Sequence, residues 1–243
     1  MILAAGEGTR LRPFTAETPK VLLPVGGVPL ICHTLAWLKR HGISHAAINL
    51  HHLGDKIRDL LGDGSRLGME ISYSGEAELL GTAGGVKRMA DGLREKFVTV
   101  YGDVLTDLDL GTMMRFHART GAMATIGLQK AQDVAGKGVA RLDGEDRIYS
   151  FVEKPTSSSE SRCLVNTGVY VLEPEILEHI ESGFSDFGLD VFPRLLEEGV
   201  PVYGWRLRPW EYLIDIGAPK AYQQANEDIA RGEVDVASGC VPR

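Results

Sequence analysis

The sequence predicts an α/β fold whose first half carries a largely parallel sheet and whose second half adds a mixed or antiparallel extension. Two patterns and one size argument predict it. Short β-rich runs alternate with helical patterns from "MILAA" to "FVTVYGD", which requires crossover connections and parallel neighbours. Four β-like runs, "AMATIGLQK", "GVARLD", "IYSFVEK" and "LVNTGVYVL", then follow with little helix between them. A chain of 243 residues with 44% hydrophobic content can bury a proper core in one domain.

Each element has a local reason. "MILAA" opens the sheet, and a helix over residues 29–41 follows. Pro29 suits a first helical turn, Gly42 suits the position after the last one, and Leu30, Thr34, Trp37, Leu38 and His41 share a face. "AAIN", a helix near residues 55–61, "MEISYS", a helix near 83–89 and "FVTVYGD" continue the alternation. Asp109 is placed to cap a helix running to about Arg119. Helices near 174–180 and 189–198, a strand "VYGW", and "YLIDIG" leading into a helix from Pro219 complete the chain. "PTSSSES", residues 155–161, reads as a mobile loop, residues 232–243 read as a frayed tail, and no internal repeat is present.

Composition excludes several classes. Twenty-six Lys and Arg against 33 Asp and Glu give a net charge of −7, so the molecule repels polyanions, nucleic acid is not expected as a partner, and an anionic ligand must meet local positive charge. Cys32, Cys163 and Cys240 are an odd set without CxxC spacing, which fits reduced cytosolic thiols better than disulfides or zinc. No apolar run reaches the length of a membrane span and the start lacks a basic flank, so a cytoplasmic protein without membrane contact is expected, with a homo-oligomer left open. His51 and His52, adjacent before a helix, read as a solvated turn rather than a metal site.

The chemistry gathers at "LAAGEGTRLRPFTAETPK", residues 3–20. A glycine-rich turn between a strand and a basic segment lets backbone N–H groups approach an anion, and glycine supplies the positive φ this needs. The dinucleotide fingerprint fails, because Leu11 stands at the third glycine position, and GxxxxGK[ST] fails too. What remains is Gly6, Gly8, Thr9 and Arg10 on one turn, with Lys20 fixed behind Pro19, against the alternative of an ordinary basic loop. Asp103 follows the apolar run "FVTVY", and Asp215 ends "YLID". Two carboxylates at strand ends suit Mg²⁺ that also takes phosphate oxygens, although either one alone reads as a cap. "LLGTAGG" is a second tight loop entering a helix, able to lie against a base or ribose. Glu153, Lys154, Asn166 and Thr167 offer groups suited to a polyol, or else face solvent.

In order, "LAAGEGTRLRP…TPKVLLPVGGVPLI", "LGTAGG", "GDV", "VEKP", "VNTGVYVL" and "IDIG" resemble the sugar-1-phosphate nucleotidylyltransferases, over residues 1 to about 231, and most closely their mannose-1-phosphate guanylyltransferase branch. The resemblance implies a Rossmann-like three-layer sandwich with a mixed, mostly parallel central sheet and a smaller β-rich sugar-binding extension. It implies one nucleotidyltransferase domain over residues 1–231, with a nucleotide-binding half to about residue 120 and a sugar-phosphate half from 121. Leu3, Ala4, Ala5, Gly6, Gly8, Thr9 and Arg10 would wrap the NTP phosphates, and Lys20 would neutralise charge at the reacting phosphates. Gly81, Thr82, Ala83 and Gly84 would frame base and ribose, Asp103 and Asp215 would hold Mg²⁺, and Glu153, Lys154, Asn166 and Thr167 would contact the sugar phosphate. Arg10, Lys20 and Asp103 carry the catalytic expectation. The family usually has a few residues before this first strand, and its longer members carry a C-terminal β-helix of hexapeptide repeats that this sequence does not reach.

Guanine presents two adjacent N–H donors that a carboxylate matches, and Glu76 and Glu78 stand just before the Gly81 turn. Either carboxylate could instead be surface charge on a loop, and the resemblance to the guanylyl branch tips the expectation to GTP. The same resemblance implies mannose or a manno-configured heptose 1-phosphate as the first acceptor, with glucose 1-phosphate and UTP or dTTP second. Two rival readings are a catalytically silent sensor of NDP-sugars and a glycosyltransferase. The latter would need a DxD motif, and "DLD" at Asp107 and Asp109 looks instead like a helix start.

Overall fold

The helix that opens after Pro29 runs Leu30–Arg40 in the computed structural model, which describes residues 1–155 and 163–234. Its buried face includes Leu30, Thr34, Trp37 and Leu38, its last turn carries the basic Lys39 and Arg40 that suit a helix C-terminus, and Gly42 follows with φ +82°. The Trp37 indole donates to the Leu108 carbonyl at 2.8 Å, so the helix face is both packed and pinned. The chain is α/β on a mixed central sheet, and it divides into two compact units that interleave in sequence. The first comprises Met1–Leu79, Tyr101–Leu108 and the chain from Trp210; the second comprises Leu80–Val100 and Asp109–Pro209.

In the first unit, strands Ile2–Leu3 and Glu70–Gly75 flank His45–Leu50 in parallel, with Leu3 opposite Asn49 and Leu50 opposite Gly75. The helices Leu30–Arg40 and Gly54–Leu61 supply the crossovers that parallel neighbours need. Pro24–Val25 and Val28–Pro29 form a small hairpin around Gly26 and Gly27, both at positive φ, the geometry that a tight two-residue turn demands. A second short antiparallel pair joins Val104–Thr106 to Leu213–Asp215. Helix Pro219–Arg231 closes the unit over a core that includes Leu11, Leu23, Val25, Leu105, Ile216 and Ala225. Two of these, Leu11 between Arg10 and Arg12 and Leu23 just after Lys20, root the basic stretch in the core.

In the second unit the long strand Cys163–Leu172 runs antiparallel to Phe97–Tyr101, Ala124–Ala131 and Val139–Leu142, and Ile148–Val152 pairs antiparallel with Val139–Leu142. Val202–Arg206 joins Ala124–Ala131 in parallel, so this region is the mixed extension expected. Asp109 caps helix Leu110–Thr120, its side chain accepting from the Thr112 amide at 3.0 Å, as the "DLD" reading anticipated. Where one helix was expected near 189–198, a π turn Phe187–Val191 leads into helix Phe192–Glu197. Packing explains the irregular entry, because Phe187 stacks on Phe192 and both meet Tyr170 edge-on in the core. Most of the loop expected at 155–161, most of the tail expected at 232–243, and Cys240 lie outside the described residues. Cys32 and Cys163 are buried. Among the described residues no helix is long and apolar enough to cross a membrane.

Candidate active site

The first strand ends at Leu3 and the chain then turns through residues 6–10. Gly8, not Gly6, takes the left-handed conformation, with φ +65° and ψ 29°, and its carbonyl accepts from the Leu11 amide at 2.9 Å and the Thr15 hydroxyl at 2.8 Å. A methyl group on Gly8 would meet Thr15 Cγ2 at 3.0 Å and Lys20 Cβ at 3.2 Å, so this glycine is fixed by both conformation and space. Gly6 differs, since a Cβ there meets nothing within 4 Å. It is exposed, and its bare backbone is open to close approach by a ligand.

Lys20 begins the short turn Lys20–Leu22 behind Pro19, and its ammonium pairs with Asp103 Oδ2 and lies 4.0 Å from Asp215 Oδ1. The two aspartates meet because Asp215 pairs with Val104 across the short antiparallel ladder and the Ile216 amide donates to the Asp103 carbonyl at 2.9 Å. The Gly217 amide donates to Asp215 Oδ1 at 2.6 Å, which folds the chain back over that carboxylate. Around Gly217 the charges converge. A Cβ there would stand 2.7 Å from Asp215 Oδ1, 2.8 Å from Arg10 Nη2 and 2.8 Å from Lys20 Nζ. Arg10, Lys20, Asp103 and Asp215 thus form one cluster, all within the first unit. Gly217 was not anticipated, although the Asp-x-Gly spacing in "IDIG" is the signal for such a turn.

The Asp215 carboxyl is pushed up from the usual carboxylate range by burial first and by the Asp103 charge next, while Lys20, the Gly217 amide and Arg10 act in the opposite sense. Two crowded carboxylates fit a hard divalent cation, which would relieve their repulsion through oxygen donors. No group of three or more His, Cys, Asp or Glu arranged for a metal occurs among the described residues, so phosphate oxygens would have to complete such a site.

Glu76 is buried rather than displayed on a loop: its Oε1 accepts from Asn49 Nδ2 at 2.7 Å and its carbonyl bonds His51 Nδ1 at 2.8 Å. This corrects the solvated-turn reading of His51, which is half-buried and holds the Glu76 backbone. Glu78 is exposed. Asn49 was not anticipated, although an amide inside the apolar run "AINL" is the kind of buried polar group that demands partners.

In the second unit, helix Gly81–Arg88 begins against the segment around Ser185, whose carbonyl accepts from the Ala83 amide at 2.9 Å and the Gly84 amide at 3.0 Å. Gly81, at φ +75°, would clash with the Ser185 carbonyl if it carried a Cβ, and Gly84 with the Gly183 carbonyl. Gly81 and Gly84 are therefore required by close packing within the protein, and the Ala83 and Gly84 amides bond the Ser185 carbonyl. Thr82 Oγ1 bonds Asp186 Oδ2 at 2.9 Å. Asn166 and Thr167 sit in a bulge of the strand Cys163–Leu172. Asn166 Oδ1 accepts from the Gly168 amide at 3.0 Å, its Nδ2 meets Tyr170 Oη at 2.8 Å, and Thr167 Oγ1 donates to the Gly127 carbonyl at 2.8 Å. Both side chains shape the strand. Glu153 Oε1 lies 3.7 Å from exposed Lys154 Nζ, and burial pushes its carboxyl up, against the Lys154 charge and with that of Asp186.

A model of the nucleotidyl transferase family matches residues 1–232. The chain is 36% identical over 249 residues to a UTP–glucose-1-phosphate uridylyltransferase of Synechocystis sp., covering 96% of this chain and 64% of that protein. It is 34% identical over 245 residues to the mannose-1-phosphate guanylyltransferase of Mycobacterium tuberculosis, covering 100% of this chain and 65% of that protein. The crystal structure of a putative glucose-1-phosphate thymidylyltransferase from Bacillus anthracis, in complex with a sucrose, superposes with a TM-score of 0.85 at 27% identity, covering 98% of this chain and 96% of that one. The turn over residues 6–10, the rooted Lys20 and the two facing carboxylates all lie within the span matched by the nucleotidyl transferase family. The chain belongs to that family, among the sugar-1-phosphate nucleotidylyltransferases. It spans just under two thirds of the length of the curated relatives it matches.

Proposed function

We propose that the protein transfers a nucleotidyl group from an NTP to a sugar 1-phosphate, giving an NDP-sugar and pyrophosphate. The observation that carries this reading is the convergence of Arg10, Lys20, Asp103 and Asp215 at Gly217. A phosphate oxygen of the sugar 1-phosphate attacks the α-phosphorus in line. The new P–O bond forms as the bond from the α-phosphorus to the bridging oxygen breaks, and pyrophosphate leaves with that electron pair. The sugar phosphate is already an anion, so no protein nucleophile or base is required, and the protein must align two polyanions and offset their repulsion. Alignment contributes roughly 7–11 kcal/mol in favourable cases, and cations aimed at the developing charge add to it.

The residues take distinct roles. Gly6, Gly8 and Thr9 present backbone to the NTP phosphates, Arg10 clamps them, and Lys20, held in place by Asp103, meets the reacting phosphates. Asp103 and Asp215 would hold Mg²⁺, which when bound neutralises phosphate charge. Glu153 and Lys154 contact the sugar phosphate. For the base, we favour guanine on the carboxylates of Glu76 and Glu78, with mannose or a manno-configured heptose as the sugar. The relative acting on UTP and glucose 1-phosphate supports the second reading, a uridylyl or thymidylyl transfer to glucose 1-phosphate. Pyrophosphate release in a matrix of NTPs against sugar 1-phosphates with Mg²⁺ tests both. No release from any pair, with saturable binding, would leave a sensor; equal kcat/KM for GTP and UTP would remove the guanine assignment.

A further inference from the structure

We propose that Asn49 is a positioning residue that couples the phosphate turn to Glu76, so that one buried side-chain amide sets both the backbone entering residues 6–10 and the carboxylate assigned to the base. Both rest on the functional reading above, the coupling to the turn on its phosphate contact and the coupling to base choice on its base contact.

The ladder between Ile2–Leu3 and His45–Leu50 ends at the pair Leu3 and Asn49. The next amide, that of Ala4, lies two residues before Gly6, and it donates to Asn49 Oδ1 at 2.8 Å. A side chain thereby extends the ladder by one bond, holding the backbone where it leaves the sheet. The other end of the same amide donates from Nδ2 to Glu76 Oε1 at 2.7 Å. The orientation is forced, because an N–H can only be met by the amide oxygen and a carboxylate only by the NH₂.

Asn49 is 2% exposed and Glu76 6%, so neither group can exchange this bond for bulk water. A buried amide in a strand is unfavourable unless both ends are satisfied, and an apolar β-branched residue would otherwise suit the position between Ile48 and Leu50. The neighbours of Asn49 grip Glu76 from its backbone side. The Glu76 amide donates to the Leu50 carbonyl at 2.7 Å, and its carbonyl accepts from His51 Nδ1 at 2.8 Å, which places the proton of that ring on Nδ1. Three consecutive residues at one strand end, Asn49, Leu50 and His51, therefore fix Glu76 in position and azimuth, and the first of them also fixes Ala4. Displacing one end of the bridge displaces the other.

Asn49→Asp keeps an acceptor for the Ala4 amide but sets a carboxylate against that of Glu76. The two would repel, and the backbone at Ala4 would move with them. Adding Glu76→Gln restores a donor opposite the new acceptor and rebuilds the bridge with its polarity reversed. The test measures binding of tripolyphosphate, which has no base, at a temperature well below the Tm of each variant, together with kcat/KM for GTP and UTP. Asn49→Asp is expected to weaken tripolyphosphate about tenfold or more, and Asn49→Asp with Glu76→Gln to recover most of that loss. If Asn49→Asp does not fold, recovery of both fold and tripolyphosphate affinity in the double variant supports the bridge. Unchanged tripolyphosphate affinity in folded Asn49→Asp, or a double variant no better than the single one, overturns it. A GTP to UTP ratio near one in the unmutated protein removes only the base reading, and tripolyphosphate affinity that Arg10→Ala leaves unchanged removes the phosphate reading of the turn, which separates that failure from failure of the bridge.

Discussion

Asp215 and Val104 are register partners in the short antiparallel pair that Leu213–Asp215 makes with Val104–Thr106. That one pairing brings Asp103, the residue before Val104, beside Asp215 although they lie far apart in the chain. Asp103→Asn and Asp215→Asn are each expected to shift the Mg²⁺ dependence of pyrophosphate release to higher concentration, because each removes a charged oxygen donor from a hard cation. A shift in only one of them would leave the other as a backbone-shaping residue.

Lys20→Ala leaves Asp103 without its ion-pair partner and removes the cation nearest Asp215, while Arg10→Ala removes the guanidinium beside Gly217. Each is expected to lower turnover by about tenfold or more, or about 1.4 kcal/mol of barrier. Leu11 and Leu23 keep the surrounding turns rooted in the core, so the far-UV spectrum should not change. Unaltered pyrophosphate release in either variant would refute the assignment.

Two glycines separate space for a ligand from space for the protein. Gly217→Ala puts a methyl group 2.7–2.8 Å from Asp215 Oδ1, Arg10 Nη2 and Lys20 Nζ, all ends of flexible side chains. They can shift, so the loss should fall on turnover, by about tenfold or more, rather than on Tm. Gly6→Ala meets nothing within 4 Å and should leave Tm unchanged while raising KM for the NTP, since only a ligand would touch it. Equal KM in Gly6→Ala and the parent would mean that phosphate does not approach there.

These features differ in how legible they are in the sequence. The helix beginning after Pro29 and the cap at Asp109 depend on residues a few positions away, and local pattern reports them well. The strand Val104–Thr106 is too short for alternation to be visible and exists because a distant segment pairs with it. The same limit governs the site. Arg10 and Lys20 are marked by a glycine-rich basic turn and Asp103 and Asp215 by the ends of apolar runs, and the fold gathers them. The press of the Ser185 and Gly183 carbonyls against Gly81 and Gly84 of "LGTAGG", by contrast, is invisible locally, because it depends on a segment about 100 residues away. Asn166 and Thr167 likewise bond the bulge they sit in, which a linear pattern of polar groups does not reveal.

The second unit carries a buried histidine whose pH dependence follows from its partners. His117 is fully buried, with Nε2 3.0 Å from Glu173 Oε1 and Nδ1 2.8 Å from Thr125 Oγ1. The carboxylate can only accept, so Nε2 carries the proton and Nδ1 accepts from the Thr125 hydroxyl in the neutral ring. Burial pushes the imidazole below its usual range, the Glu173 carboxylate opposes this, and Lys96 adds to it. With the folded value depressed, the unfolded chain takes up a proton near pH ~6.5 that the folded one refuses. Stability from this site is therefore complete above that pH and falls as pH drops through it toward the folded value. Glu173→Gln removes the opposing charge, depresses the folded value further and should make the acid loss of Tm steeper. His117→Asn removes the titration and should flatten the Tm profile between pH ~7 and ~5. Parallel Tm profiles for the parent and both variants over that interval would show that His117 is not held neutral by its burial.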